Sequence, residues 1–400
     1  MLITKSLFIM LLLGSMLLVA PTGCQTSSVL DPVAPAAGRV LISSSLITES
    51  TPSQLRGRYT GVSAVFQFFV RFGIRAYRLE YTTTNSDGTK INASGVVIVP
   101  TDAGKAVPLL SMQHGTIQND ADAPSYFGRG SEAYMLGSLF ASHGYIISAP
   151  DYVGYGASKD VPHPYEHRSS LATASLDMLR ATREFVRENQ IGWDDRLFLA
   201  GYSEGGYATM ALQKKIEEET GDEFNLVASS CGAGAYDKPS FMQHIVNEPT
   251  SGVASINRLY VWVLLTYDRI YGLNRPMNYY FREPYASQVT ASGKDVTINV
   301  SLHTTFTDSF KKAINEGTDA GFLKAVQDND IHDWKPETRT RLYHGDADDT
   351  VLYLNSQNTY DAMQKRGATN VTLEKLRGAN HASGILGFVT GTYSFFGGTQ

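Results

Sequence analysis

Apolar positions in this chain fall into three textures. Residues 6–20 form one unbroken apolar run behind a single early charge, Lys5. Further on, short apolar runs alternate with stretches of helical periodicity. "IRAYRLEYTTTN" and "INASGVVIVPT" flank "SDGTK", and Asp-Gly between two strand-like runs predicts a β-hairpin. A short helix over residues 52–72 is expected to lead into it. The strand "VPLLSMQHG" is followed by the helix "SEAYMLGSLFASHG", opening on Ser131 and closing on Gly144. Next come the strand "YIISAPDY" and the helix "SSLATASLDMLRATREFVREN", then the strand "RLFLA" and the helix "EGGYATMALQKKIEEETG" with Gly221 as its stop, then the strand "FNLVASSCGAG". The same alternation returns late in "TRLYHG", "LYLNSQNTYDAMQKRG", "VTLEKLRG" and "ASGILGFVTGTYSFFGG". A hairpin followed by repeated β–α units predicts an α/β domain with a mostly parallel central sheet and helices on both faces.

The third texture interrupts the second. Residues 235–336 lack the alternation and include "RLYVWVLLTYDRIYGLNRPMNYYFREPY", dense in Tyr and carrying Trp262 and Phe281. An inserted helical cap over the site, supplying an apolar acyl pocket, is expected here. Helices packing on one another would show the same aromatic density, and both readings can hold together.

Composition narrows the setting. Residues 1–24 have the form of a secretory signal, with an apolar segment too short to span a membrane comfortably. Gly23-Cys24 at its end resembles the bacterial lipoprotein signal, in which the cysteine is lipidated and becomes the new N-terminus. Cleavage and free secretion is the alternative. Residues 25–45, polar and rich in Pro and Ala, read as a tether, and residues 46–400 as the catalytic domain. The chain has two cysteines, so removing the leader leaves Cys231 alone and no internal disulfide. Its apolar strand makes it a buried small residue. Net charge is −5, and no basic run suggests a nucleic-acid partner. No H-E-x-x-H, C-x-x-C, EF-hand loop or phosphate cradle occurs, so neither metal nor cofactor is expected.

Candidate chemistry centres on Gly201-Tyr202-Ser203-Glu204-Gly205, between the strand "RLFLA" and a helix. A G-x-S-x-G pattern alone is weak, but strand before and helix after are what a nucleophile elbow needs. Glycines two residues either side of Ser203 suit a turn with no room for Cβ atoms. A serine nucleophile needs a base, and the base needs an acid to hold its tautomer. On an α/β-hydrolase sheet the chain order is Ser, then Asp or Glu, then His. "HGDADDTV" offers Asp346, Asp348 and Asp349, and of the nine histidines only His381, in "GANH", follows it. An oxyanion hole needs two backbone N–H groups, one from the residue after the nucleophile, Glu204. Its side chain is expected to do no more than sit on the helix dipole. Asp151 is expected to fix a turn, and His163 to be a surface or packing residue.

"QHGT", "SAPDYVGYG", "GYSEGG", "HGDADDTV" and "GANH" together resemble the α/β-hydrolase lipases and esterases, nearest to the secretory lipase family and its bacterial envelope relatives, over about residues 77–398. The resemblance implies an α/β-hydrolase fold and a carboxylic ester as substrate, lipid or small molecule, with no nucleic acid. In such enzymes the acid lies in G-x-x-D-x-x-V, which Gly345, Asp348 and Val351 fill, making Asp348 the acid ahead of Asp346. The residue after His-Gly commonly donates the second oxyanion N–H, so Thr116 is implied, with Gly115 as fallback and His114 bracing the loop. An envelope acyltransferase or a serine peptidase would use the same triad. A non-catalytic binding protein on this fold would be expected to lack a triad member, and none is missing.

Overall fold

The computed structural model describes residues 38–397; the leader and Cys24 lie outside them. Its nine described strands form one sheet in the order β1-β2-β3-β5-β4-β6-β7-β8-β9. These are β1 Leu41–Ser50, β2 Ile74–Thr84, β3 Lys90–Pro100, β4 Val107–Gln113, β5 Ile146–Pro150, β6 Trp193–Tyr202, β7 Asn225–Gly232, β8 Arg339–Gly345 and β9 Val371–Leu376. The first three and the β3–β5 pairing are antiparallel. From β5 through β4, β6, β7 and β8 to β9 every pairing is parallel.

Two differences appear at the N-terminal end. Residues 41–45, assigned to the tether, are the first half of β1, an outer strand mostly open to solvent that lacks a buried-face period. Residues 52–72 hold a short helix, α1 Pro52–Arg56, and a 3₁₀ segment over Gly61–Phe69 rather than one helix.

Helices cover both faces: α2 Ser138–His143, α3 Arg168–Glu188 and α4 Glu204–Glu219 precede the insert. Strand β6 shows how a period of two serves this sandwich. Phe198, Ala200 and Tyr202 pack in one cluster with Phe140 of α2, while Leu197 and Leu199 pack in another with Leu176 and Phe185 of α3. Cys231 is fully buried, and burial pushes its thiol up to about 12.

Between β7 and β8 lie α5 Lys238–Asn247, α6 Ala254–Ile270, α7 Met277–Tyr280, α8 Tyr285–Ser292, α9 Asp308–Asn315 and α10 Ala320–Asp328. They form a hydrophobic core of their own around Phe281, Phe306, Phe310 and Phe322, joined by Val351 from the loop after β8. Helices α11 Leu354–Lys365 and α12 Gly384–Gly397 complete the described chain. No described helix is long and apolar enough to cross a membrane.

Candidate active site

Strand β6 ends at Tyr202 and α4 begins at Glu204, leaving Ser203 alone in the turn with φ 61° and ψ −127°. A non-glycine residue adopts that conformation at a cost, and only where its surroundings impose it. Here the Ser203 N–H donates to Gly232 O at 2.9 Å and the Tyr207 N–H donates to Ser203 O at 3.1 Å. The flanking glycines are forced by contact. A Cβ on Gly201 would lie 2.3 Å from Gly205 O, and one on Gly205 would lie 2.1 Å from Gln113 O. The elbow is therefore pressed directly against the end of β4.

His381 reaches this turn from the loop between β9 and α12. Its Nε2 lies 2.9 Å from Ser203 Oγ and its Nδ1 lies 2.7 Å from Asp348 Oδ2. Tyr202 Oη donates to His381 O at 2.8 Å, fixing the loop from below. The acid and base loops also touch, since a Cβ on Gly345 would meet Ala379 O at 2.1 Å. Asp348 is buried and its Oδ1 accepts the N–H groups of Thr350 and Val351, each at 2.9 Å. Burial opposes ionisation, but hydrogen bonds and charge from His344 and His381 outweigh it and hold the Asp348 carboxyl far below the usual range. Asp346 and Asp349 are exposed, and Asp346 accepts the Gly378 N–H at 2.6 Å. The structure thus brings Asp348, not its neighbours, against His381.

Thr116 and Gly115 sit in the loop after β4, facing the elbow: a Cβ on Gly115 would lie 3.7 Å from Ser203 Cβ. The Gly115 N–H donates to Glu132 Oε1 at 3.1 Å. The N–H groups of Thr116 and Glu204 have no acceptor among the described residues. Thr116 Oγ1 pairs with Tyr165 Oη at 2.8 Å. His114 is buried, with Nδ1 2.7 Å from Gly115 O and its ring 4.2 Å from that of Tyr152, so it braces this loop. Asp151 accepts the Ser125 N–H at 2.7 Å and the Ser94 hydroxyl at 2.5 Å, tying the turn after β5 to its neighbours.

The expectation for the Glu204 side chain fails, while His163 takes the packing role of its two expected ones. The Glu204 side chain is fully buried rather than lying along the helix end, and Oε1 is 2.7 Å from His163 Nε2. His163 is likewise buried, with Nδ1 2.7 Å from Val153 O. A carbonyl only accepts, so Nδ1 carries a proton, and a second proton lies between Nε2 and Glu204. Glu204 Oε2 has no hydrogen-bond partner among the described residues. Beside this pair is another: Lys238 of α5 donates to Glu166, both side chains 6% exposed. Nothing in the local sequence signals either pair, because their members are separated by 41 and 72 positions.

An apolar pocket opens at Ser203 and runs into the insert. Val246, Leu264, Phe281, Phe306 and Phe310 line it. Among the described residues, the grouping with metal-ligand character is Asp237, Asp330 and His332, at the two stems of the insert. Its groups are already engaged: His332 Nδ1 lies 2.7 Å from Asp330 Oδ2, and Asp237 caps α5 and accepts from Asn358.

Comparison with known proteins agrees with this architecture. No curated protein sequence matches the chain. A hydrolase of Legionella pneumophila, described as putative, superposes with a TM-score of 0.80 at 22% identity, covering 89% of this chain and 97% of that one. The rice cell wall degrading esterase LipA of Xanthomonas oryzae gives 0.74 at 24% identity, covering 87% and 94%. Candida antarctica lipase A gives 0.60 at 17%, covering 86% and 78%. At such identities the likeness is one of fold, and the fold is that of the α/β-hydrolase lipases and esterases. The model of the secretory lipase family matches residues 127–389, a span that includes the elbow, the insert and both late loops and exceeds half of the chain; the protein belongs to the secretory lipase family.

Proposed function

We propose that the protein hydrolyses carboxylic esters through an acyl-enzyme on Ser203. The observation that carries this reading is the relay of Asp348, His381 and Ser203, joined at 2.7 and 2.9 Å on a strained elbow. His381 Nδ1 donates to Asp348, which leaves Nε2 unprotonated and able to take the Ser203 proton. Ser203 Oγ then attacks the ester carbonyl. The tetrahedral oxyanion rests on the Glu204 and Thr116 N–H groups, each worth about 3–4 kcal/mol of barrier. Imidazolium His381 protonates the leaving alcohol, and water repeats the sequence on the acyl-enzyme. Asp348 stabilises the cation while remaining ionised.

Residues 235–336 act in this reading as a cap whose apolar pocket takes the acyl chain, supported by the aromatic walls that lead away from Ser203. Export by the leader, with Cys24 lipidated, completes the proposal. A signal-peptidase II inhibitor should make the precursor accumulate; unaffected processing would reject the lipid.

The direct test is hydrolysis of p-nitrophenyl esters of graded chain length, with Ser203→Ala and fluorophosphonate labelling alongside. Activity surviving the alanine change would reject Ser203. Absence of both hydrolysis and labelling would favour a binding protein.

A further inference from the structure

The Ser203 pocket is lined mainly by apolar side chains, with a few hydroxyl-bearing residues, and Glu166 and Lys238 are its charged members. They come from different segments of the chain. Glu166 follows Tyr165, whose hydroxyl is bonded to Thr116 of the loop facing the elbow. Lys238 is the first residue of α5, where the insert begins. The ammonium donates to Glu166 Oε2 and stands 3.9 Å over the Tyr207 ring. Glu166 Oε1 has no hydrogen-bonding partner among the described residues, and an ammonium with one acceptor and one ring keeps a third N–H to give. Glu166 also sits at φ 54°, where the Tyr267 hydroxyl holds its carbonyl at 3.0 Å. Backbone strain of this kind gathers at ligand-binding positions.

A pocket for plain hydrocarbon gains nothing from such a pair. Apolar residues of equal volume would fill the space as well or better. A methylene chain would strip water from Oε1 and the ammonium and return no hydrogen bond. A carboxylate on the chain would suit Lys238 but meet Glu166; an ammonium would do the reverse. A hydroxyl both donates and accepts, so it can give its proton to Glu166 Oε1 and accept from Lys238 Nζ. We propose that Glu166 and Lys238 form a subsite for a hydroxyl on the acyl chain close to the ester carbonyl, making esters of hydroxy fatty acids the preferred substrates. The proposal rests on Ser203 forming an acyl-enzyme in this pocket.

The test compares ethyl esters of octanoic acid and of its α-hydroxy and β-hydroxy derivatives, with released acid followed by pH-stat. Wild-type enzyme should hydrolyse at least one hydroxylated ester with kcat/KM at least about tenfold above the plain ester, since a site built around a substrate hydroxyl discriminates strongly against its absence. In the double variant Glu166→Leu/Lys238→Met that ratio should fall to about one or below. Because this variant removes both charges together, it avoids leaving one buried alone, and a thermal melt checks its fold. If it does not fold, inhibition of wild-type enzyme by the free hydroxy acids should exceed that by octanoate. Hydrolysis of the plain ester with no preference for a hydroxyl, or a preference that the double variant retains, would overturn the subsite alone. No hydrolysis of any of the three, with Ser203 unlabelled by fluorophosphonate, would overturn the acyl-enzyme reading and the subsite with it.

Discussion

Replacing Asp348 by Asn leaves shape intact and reverses one hydrogen bond. Oδ1 of Asp348 takes two backbone N–H groups, from Thr350 and Val351 at 2.9 Å. The variant amide must keep its oxygen there, because its NH₂ would otherwise face two donors. The NH₂ then points at His381 Nδ1, where a carboxylate oxygen stood at 2.7 Å. It also faces His344 Nε2, 3.4 Å away, whose proton is given to Val351 O at 2.7 Å. An amide donor at Nδ1 selects the tautomer with the proton on Nε2, the atom that must accept from Ser203. In a Ser-His-Asp relay, loss of the correct tautomer lowers kcat by about 10⁴, equivalent to about 5 kcal/mol of barrier. The assay is kcat on a p-nitrophenyl ester, per mole of protein whose fold is checked by circular dichroism and a thermal melt. Asp346→Asn is the control: its carboxylate is exposed and holds only the Gly378 N–H, so its kcat should stay within a few-fold. Retention of more than about a tenth of wild-type kcat by Asp348→Asn would refute the tautomer argument, and an equal loss in Asp346→Asn would move the acid.

Gly205→Ala puts a Cβ 2.1 Å from a backbone oxygen that cannot swing aside, so it should destabilise the protein by about 3 kcal/mol or more in urea unfolding; an unchanged midpoint would contradict the packing of elbow on β4. His163→Ala leaves the Glu204 carboxyl buried with neither oxygen paired, which should cost about 3–5 kcal/mol and lower kcat, whereas Glu204→Gln can still donate to a neutral ring and should be much milder. Equal stability of the two variants would show that the pair contributes nothing. Val326→Trp, within the apolar pocket, should depress turnover of long acyl esters while sparing acetyl esters; uniform loss would show that chains do not enter there. Burial, helped by Arg168 and Arg269, lowers the His167 pKa from 6.5 to about 4. Between those values the unfolded chain binds a proton that the folded chain refuses, so stability should fall by about 3 kcal/mol as pH drops from 6.5 to 4. His167→Gln should flatten that slope, and an unaltered slope would reject the assignment.

Much of this architecture was legible in one dimension. Alternating apolar runs announce β4 to β8 and their helices because each buried strand must be apolar on both faces, a purely local demand. The order of Ser203, an acid after β8 and His381 was equally readable, since chain order fixes which strand end each residue leaves. β1 was not: an outer strand open to solvent, with its residues mostly exposed, has no burial pattern to display. Choosing Asp348 over Asp346 needed a motif in sequence but follows in space from burial, because only Asp348 is enclosed by two amides and two imidazoles. The carboxylate of Glu204 shows the limit most clearly. Its place beside Ser203 made its backbone N–H predictable, because local turn geometry governs that group. Its side chain was misjudged, because its partner His163 arrives from the loop after β5. The sequence by itself determined the buried strands of the sheet, the elbow and the chain order of Ser203, an acid after β8 and His381. Only tertiary structure decided which charges would be buried together beneath it, because ion pairs form between segments that packing, not chain proximity, brings into contact.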